Sequence, residues 1–154
     1  MMDAMALRQA LSNAAIETFE TMAFVETIPV QGAERESGRY AHRLCIDVDE
    51  PESMSVFLLY DDALKTLASR NVYPGGSTPH EAEQTDCVKE MFNVICGQFL
   101  SELYGSGVRF AMSVPKKASM HDGEHEIVAV DFAAEEQFFT LAVCSSVKNA
   151  RAAV

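Results

Sequence analysis

The chain has 154 residues, 48% of them hydrophobic, enough for one folded domain with its own core and too apolar for a disordered chain. A formal net charge of −11 disfavours nucleic acid and anionic membranes as partners, leaving a small molecule or another protein. No apolar run approaches the roughly 20 residues of a membrane-spanning helix, and the N-terminus lacks a basic-then-apolar leader, so a cytosolic protein is expected.

In chain order, residues 4–24 carry Leu7, Leu11, Ala15, Phe19 and Met22 at helical steps of three and four. A first strand is predicted over 24–30, followed by the loop "QGAERESG". Residues 40–49 alternate as a strand, with Tyr40, His42, Leu44, Ile46 and Val48 on one face. Residues 53–60 form a more apolar strand, predicted to be covered on both sides. "DDALKTLASRN" reads as a short helix opened by an Asp that can cap it. The punctuated stretch "YPGGSTPHEAEQ" reads as a connector. A long helix follows from Thr85 to Gly105, then three strands over 107–115, 125–133 and 136–146.

This order predicts an α+β fold, a largely antiparallel sheet packed against two long helices. A long helix followed by three strands occurs twice, over about 4–60 and 80–146, which suggests an internal duplication within a single domain spanning 1–154. The cysteines, Cys45, Cys87, Cys96 and Cys144, show no CxxC pair or zinc-type spacing and read as reduced, mostly buried thiols.

The long second helix raises the functional question. At about 100° per residue, Asp86, Glu90, Asn93 and Gly97 fall on one line, opposite an apolar stripe of Val88, Phe92, Ile95, Phe99 and Leu103. Acids near a helix N-terminus suit the helix dipole, so a solvated face accounts for Asp86 and Glu90. It accounts poorly for Asn93 and Gly97, both weak helix formers away from either end. A glycine one turn beyond an asparagine clears bulk, so that another backbone can approach the amide. Met91 and Val94, predicted to be exposed beside the row, suit docking or oligomer contact. The first helix repeats the spacing with Asn13, Glu17 and Glu20, offset by a constant 73 residues, above the core positions Ala15, Phe19 and Met22.

On this evidence the sequence resembles the CheC/CheX/FliY phosphatases of bacterial chemotaxis, whose mark is a helix bearing D/S-x3-E-x2-N, matched here by "DCVKEMFN" from Asp86 to Asn93. The resemblance covers nearly the whole chain, since that family has two helix-plus-three-strand halves. It implies hydrolysis of the aspartyl-phosphate on a phosphorylated CheY-like receiver domain. Asn93 would orient the attacking water, and Glu90 would pair with the receiver's lysine. Asp86, Met91, Val94 and Gly97 would contact the partner. No cofactor of its own is implied, because Mg²⁺ is expected on the receiver. Glu20 stands where the motif needs Asn, so the chain looks most like CheX members, which carry one site and form homodimers through edge strands. A non-catalytic receiver-binding adaptor or flagellar-switch module in the same fold is the alternative.

Other signals point to bland readings. His121, Asp122, Glu124 and His125 in "HDGEH" read as a polar hairpin turn rather than a metal cluster. "YPGGS" lacks the GK[ST] of a phosphate loop. His42 reads as a sheet-face residue, Ser145 and Ser146 lack a nucleophile elbow, and Pro115 ends a strand.

Overall fold

The structure is a computed structural model, described here for residues 3–31, 40–70, 72, 79–118 and 125–145. Helix α1 spans Ala4–Thr18, and the side chain of Asp3 accepts a bond from the Met5 backbone N–H at 3.2 Å to cap it. The helix does not continue regularly to residue 24. A π-turn covers Phe19–Ala23, where the Thr21 hydroxyl donates to the Glu17 carbonyl at 2.9 Å. That side-chain bond competes with the helical ladder, a local cause for widening the turn. Phe24 ends the segment in the left-handed region at φ 56°, with its own N–H and that of Val25 directed to the Phe19 carbonyl.

Seven strands follow the alternation of the sequence closely where that alternation is long. They are β1 Thr27–Val30, β2 His42–Glu50, β3 Met54–Tyr60, β4 Ala111–Met112, β5 Lys116–Lys117, β6 Glu126–Ala134 and β7 Gln137–Ser145. All the pairings are antiparallel, in the order β1-β6-β7-β3-β2-β4, with β5 also on β2. The order reads the same when β1 is exchanged with β4/β5, β6 with β2, and β7 with β3. Each half thus places its edge strand against the middle strand of the other half, and β3 and β7 form the seam.

Helix α2, Asp62–Ser69, and helix α3, Glu81–Tyr104, join α1 in a layer over one sheet face. Leu44, Ile46 and Val48 from β2 point into that interface with Val56 and Leu58 from β3. Phe132 from β6 and Phe139 from β7 complete the sheet's share of the core. Phe139 stacks on both Phe19 and Phe132, with ring centroids 4.8 and 5.0 Å apart. The opposite face carries a smaller cluster of Cys45, Phe57, Ala142 and Cys144, so β3 is covered on both sides, as its composition predicts. All four cysteines are free thiols, three of them buried.

Several expectations need correction. The strand predicted over 107–115 reduces to β4, with β5 lying just beyond it, and Ser113 ties the stretch between them to β2. Its N–H donates to the Asp47 carbonyl at 2.8 Å, and its hydroxyl accepts from the Asp47 N–H at 2.9 Å. Strand β1 starts at Thr27 rather than residue 24, because the π-turn and its left-handed end occupy the preceding residues. Asp61 precedes α2, but its carboxylate accepts from the Ala41 N–H at 2.8 Å and makes no capping bond. Residues 81–84, assigned to the connector, form the first turn of α3. The "YPGGS" motif, His121, Asp122, Glu124 and Ser146 lie outside the described residues. His125 is in a turn, with its carbonyl accepting from the Ser145 N–H. No helix among the described residues is long and apolar enough to cross a membrane.

Candidate functional site

Helix α3 carries the acidic row, and its first turn is tied down by charge. Glu83 accepts from the His80 backbone N–H at 3.1 Å, and Glu81 and Glu83 both favour the positive end of the helix. Lys65 of α2, only 3% exposed, reaches Asp62 at 2.9 Å and Glu81 at 3.1 Å, bridging α2 to α3. A buried ammonium is tolerable only with such partners, and Asp62 holds the lysine pKa above its ordinary value. Asp62 also lies 2.6 Å from His42 Nε2 on β2, and these contacts with Lys65 and then His42 lower the pKa of its carboxyl. Periodicity alone passes over this clamp; its one signal is a lysine within the apolar stripe of Leu64, Leu67 and Ala68.

The buried side of α3 is wider than the stripe suggests. Val88, Met91, Phe92, Ile95, Cys96, Phe99 and Leu100 are buried. Measured from Glu90, they occupy an arc from about 100° to about 280°. Gln98 and Glu102 mark one flank of that arc. Thr18 Oγ1 donates to Gln98 at 3.3 Å, and the Asn13 amide donates to Glu102, so α1 runs antiparallel to α3 along that flank. Met91 lies on it too, at about 100°. It is 4% exposed and part of the main core, which corrects the expectation of an exposed side chain. Val94 is partly buried rather than open.

Opposite this arc, Asp86, Glu90 and Asn93 are exposed, and Gly97 is partly so. They fall within about 60° of one another on the helix. Among the described residues, no side-chain hydrogen bond or ion pair engages Asp86, Glu90 or Asn93, so each can turn to an incoming group. A Cβ built on Gly97 meets nothing within 4 Å, so the glycine leaves open space beside the amide rather than relieving an internal clash. The arrangement presents two carboxylates and a carboxamide on a rigid, regular helix, with clearance one turn beyond.

The corresponding residues of the first helix are placed differently. Asn13, Glu17 and Glu20 are exposed, but the amide of Asn13 is bound to Glu102, and its carbonyl accepts from Gln9 at 2.9 Å. Glu20 lies on the π-turn, so it leaves the α-helical line set by Asn13 and Glu17. No group of three or more His, Cys, Asp or Glu suited to a metal ion occurs among the described residues.

No curated protein matches the chain. Solved structures do. A CheX from Desulfovibrio desulfuricans superposes with a TM-score of 0.74 at 18% identity, covering 91% of this chain and 99% of that one. CheX from Vibrio vulnificus gives 0.71 at 20% identity over 90% and 97%. The CheX chain of a CheX–CheY–BeF3–Mg²⁺ complex from Borrelia burgdorferi gives 0.63 at 15% identity over 95% and 99%. At such identities the likeness speaks for the fold. The family model described as chemotaxis phosphatase CheX matches residues 44–139, well over half of the chain and including the whole of the Asp86–Gly97 row. The chain belongs to the CheX family.

Proposed function

We propose that the protein accelerates hydrolysis of the aspartyl-phosphate on a CheY-like receiver domain, with the outward row of α3 entering the receiver's active site. The single observation that carries this reading is the unengaged Glu90/Asn93 pair, exposed on a helix whose other side is fixed in the core. Family membership and the existence of a CheX–CheY complex in Borrelia burgdorferi support the choice of partner.

The chemistry suits these groups. An acyl phosphate is already activated, and Mg²⁺ held by the receiver neutralises phosphoryl charge, so the remaining task is to place a water in line. A carboxamide both donates and accepts, so Asn93 can hold that water beside anionic oxygens. A carboxylate in its place repels the phosphoryl group and offers no donor. Glu90, one turn away, pairs with the receiver's lysine and sets the depth of entry. The test is phosphate decay on the organism's own receiver domains, with and without this protein. Unchanged decay on every receiver refutes the reading. Tight binding without faster decay favours an adaptor instead.

A further inference from the structure

The inner side of α3 changes character towards its N-terminus. From Val88 onward, the arc that faces the core is filled by buried apolar side chains. Glu81 and Thr85 fall at about 180° and 220° from Glu90, inside the same arc. Yet Glu81 is exposed and Thr85 only partly buried. In place of core, a cavity of about 230 Å³ lies between these turns, α2 and the start of β2, with His42, Leu44, Tyr60, Lys65, Glu81 and Thr85 in its wall.

Asp86 stands on the outer side of these same turns, at the N-terminal end of the row. Its turn is backed by the partly buried Cys87 and by an ion pair. Lys65 reaches Glu81 from α2 at 3.1 Å, and its ammonium is itself fixed by Asp62 at 2.9 Å. Asp62 lies 2.6 Å from His42 Nε2, so a chain of contacts runs from the sheet to the first turn of α3. Lys65 is 3% exposed, and a buried, doubly paired cation keeps far less freedom than a surface lysine. Asn93 needs no such support, because Phe92 and Ile95 on its own turn are buried.

We propose that Lys65 is a positioning residue for the phosphatase: through Glu81 it holds the Asp86 end of the row at the angle at which the receiver docks, while the core sets Asn93. This rests on the phosphatase reading and deepens it. Buried as it is, Lys65 touches neither the receiver nor the phosphoryl group. It acts on affinity through Asp86, not on the hydrolytic step at Asn93.

The test takes the intact protein with Lys65→Met, with Asp86→Ala and with the two combined, in receiver-phosphate decay and in backbone hydrogen exchange. Methionine fills the space of the lysine stem, and the carboxylates left behind are exposed, so the fold is expected to hold. Lys65→Met should raise KM about five-fold with kcat nearly unchanged, the scale of coupling between residues of one network. In the Asp86→Ala background the same substitution should add nothing to KM. Amides of residues 85–88 should exchange faster, while those of residues 92–96 keep their wild-type rates.

Wild-type exchange at 85–88 overturns the positioning role and leaves the phosphatase reading standing. So does an unchanged KM, or one that rises equally in the Asp86→Ala background. An Asp86→Ala protein with wild-type KM removes the residue through which Lys65 acts, and overturns the role as well. Faster exchange along all of α3 with a lower kcat makes Lys65 a general structural residue, which also overturns it. If the wild-type protein accelerates decay on no receiver, the phosphatase reading fails, and the positioning role fails with it whatever the exchange shows.

Discussion

The two long helices of this fold carry acidic and amide residues at the same intervals, yet they present different surfaces. On α3, Glu90 and Asn93 stand on a regular helix and bind nothing among the described residues. On α1, Asn13 is committed to Glu102 and Gln9, and Glu20 has left the helical line at a π-turn. A repeated spacing therefore does not guarantee a repeated surface. What decides is whether the side chain is already engaged and whether the helix stays regular beneath it.

The sharpest way to break this contrast is Asn93→Ala. Removing a positioned polar group from a transition state costs on the order of 10²–10³ in rate, so turnover should nearly vanish while the circular dichroism spectrum is kept and Tm stays level or rises slightly with the better helix former. A folded variant with wild-type turnover would show that α3 is not the working face. Glu90→Gln should cost about ten-fold, since one charged hydrogen-bond partner is lost. Rate against ionic strength checks the assignment: the wild-type rate should fall with salt more steeply than the variant's, and parallel curves remove Glu90 from charge pairing.

Gly97→Ala should separate stability from docking. No neighbour obstructs a methyl group, so unfolding in denaturant should show a gain of about 1 kcal/mol from helix propensity. The same methyl narrows the clearance beside Asn93, so KM for the receiver should rise. A stabilised variant with wild-type KM would reduce the glycine to a tolerated defect. The smallest effects belong to the first helix. Glu17→Ala with Glu20→Ala should leave most of the activity and change stability by no more than about 0.5 kcal/mol. Glu20→Asn in an Asn93→Ala background should restore no turnover, because the π-turn displaces residue 20. Recovery there would make the two faces equivalent after all.

Much of this contrast is legible in the sequence. The period of α3, the buried stripe and the outward row depend on local geometry, as do the long alternating strands β6 and β7. The mismatch of Glu20 with Asn93 is also visible in the sequence, whereas the π-turn beneath residue 20 is not. The π-turn coincides with a bond from the Thr21 hydroxyl to the Glu17 carbonyl, a competition that apolar periodicity does not register. Met91 belongs to the main core, although a helical wheel, which shows one helix without its neighbours, puts it beside the outward row. The 107–115 segment alternates like a strand, yet its pairing hangs on Ser113 bonding to Asp47, a contact between distant parts of the chain. The Lys65–Glu81 bridge is hidden for the same reason, each residue's value lying in a partner on another element.

The exchange of edge strands between halves governs the order in which the molecule can assemble. Thr27 of β1 pairs with Ala134 of β6, and Leu44 of β2 pairs with Lys117 of β5, so each half supplies a neighbour that the other lacks. During synthesis, a chain that has emerged only through β3 holds β1 with no partner strand and an open sheet edge. Closure depends on contacts remote in sequence, which form late and slow the folding of such topologies. The row on α3 gains its buried backing only when strands from both ends have met, so a truncated chain can contain the whole motif and still lack the surface that presents it.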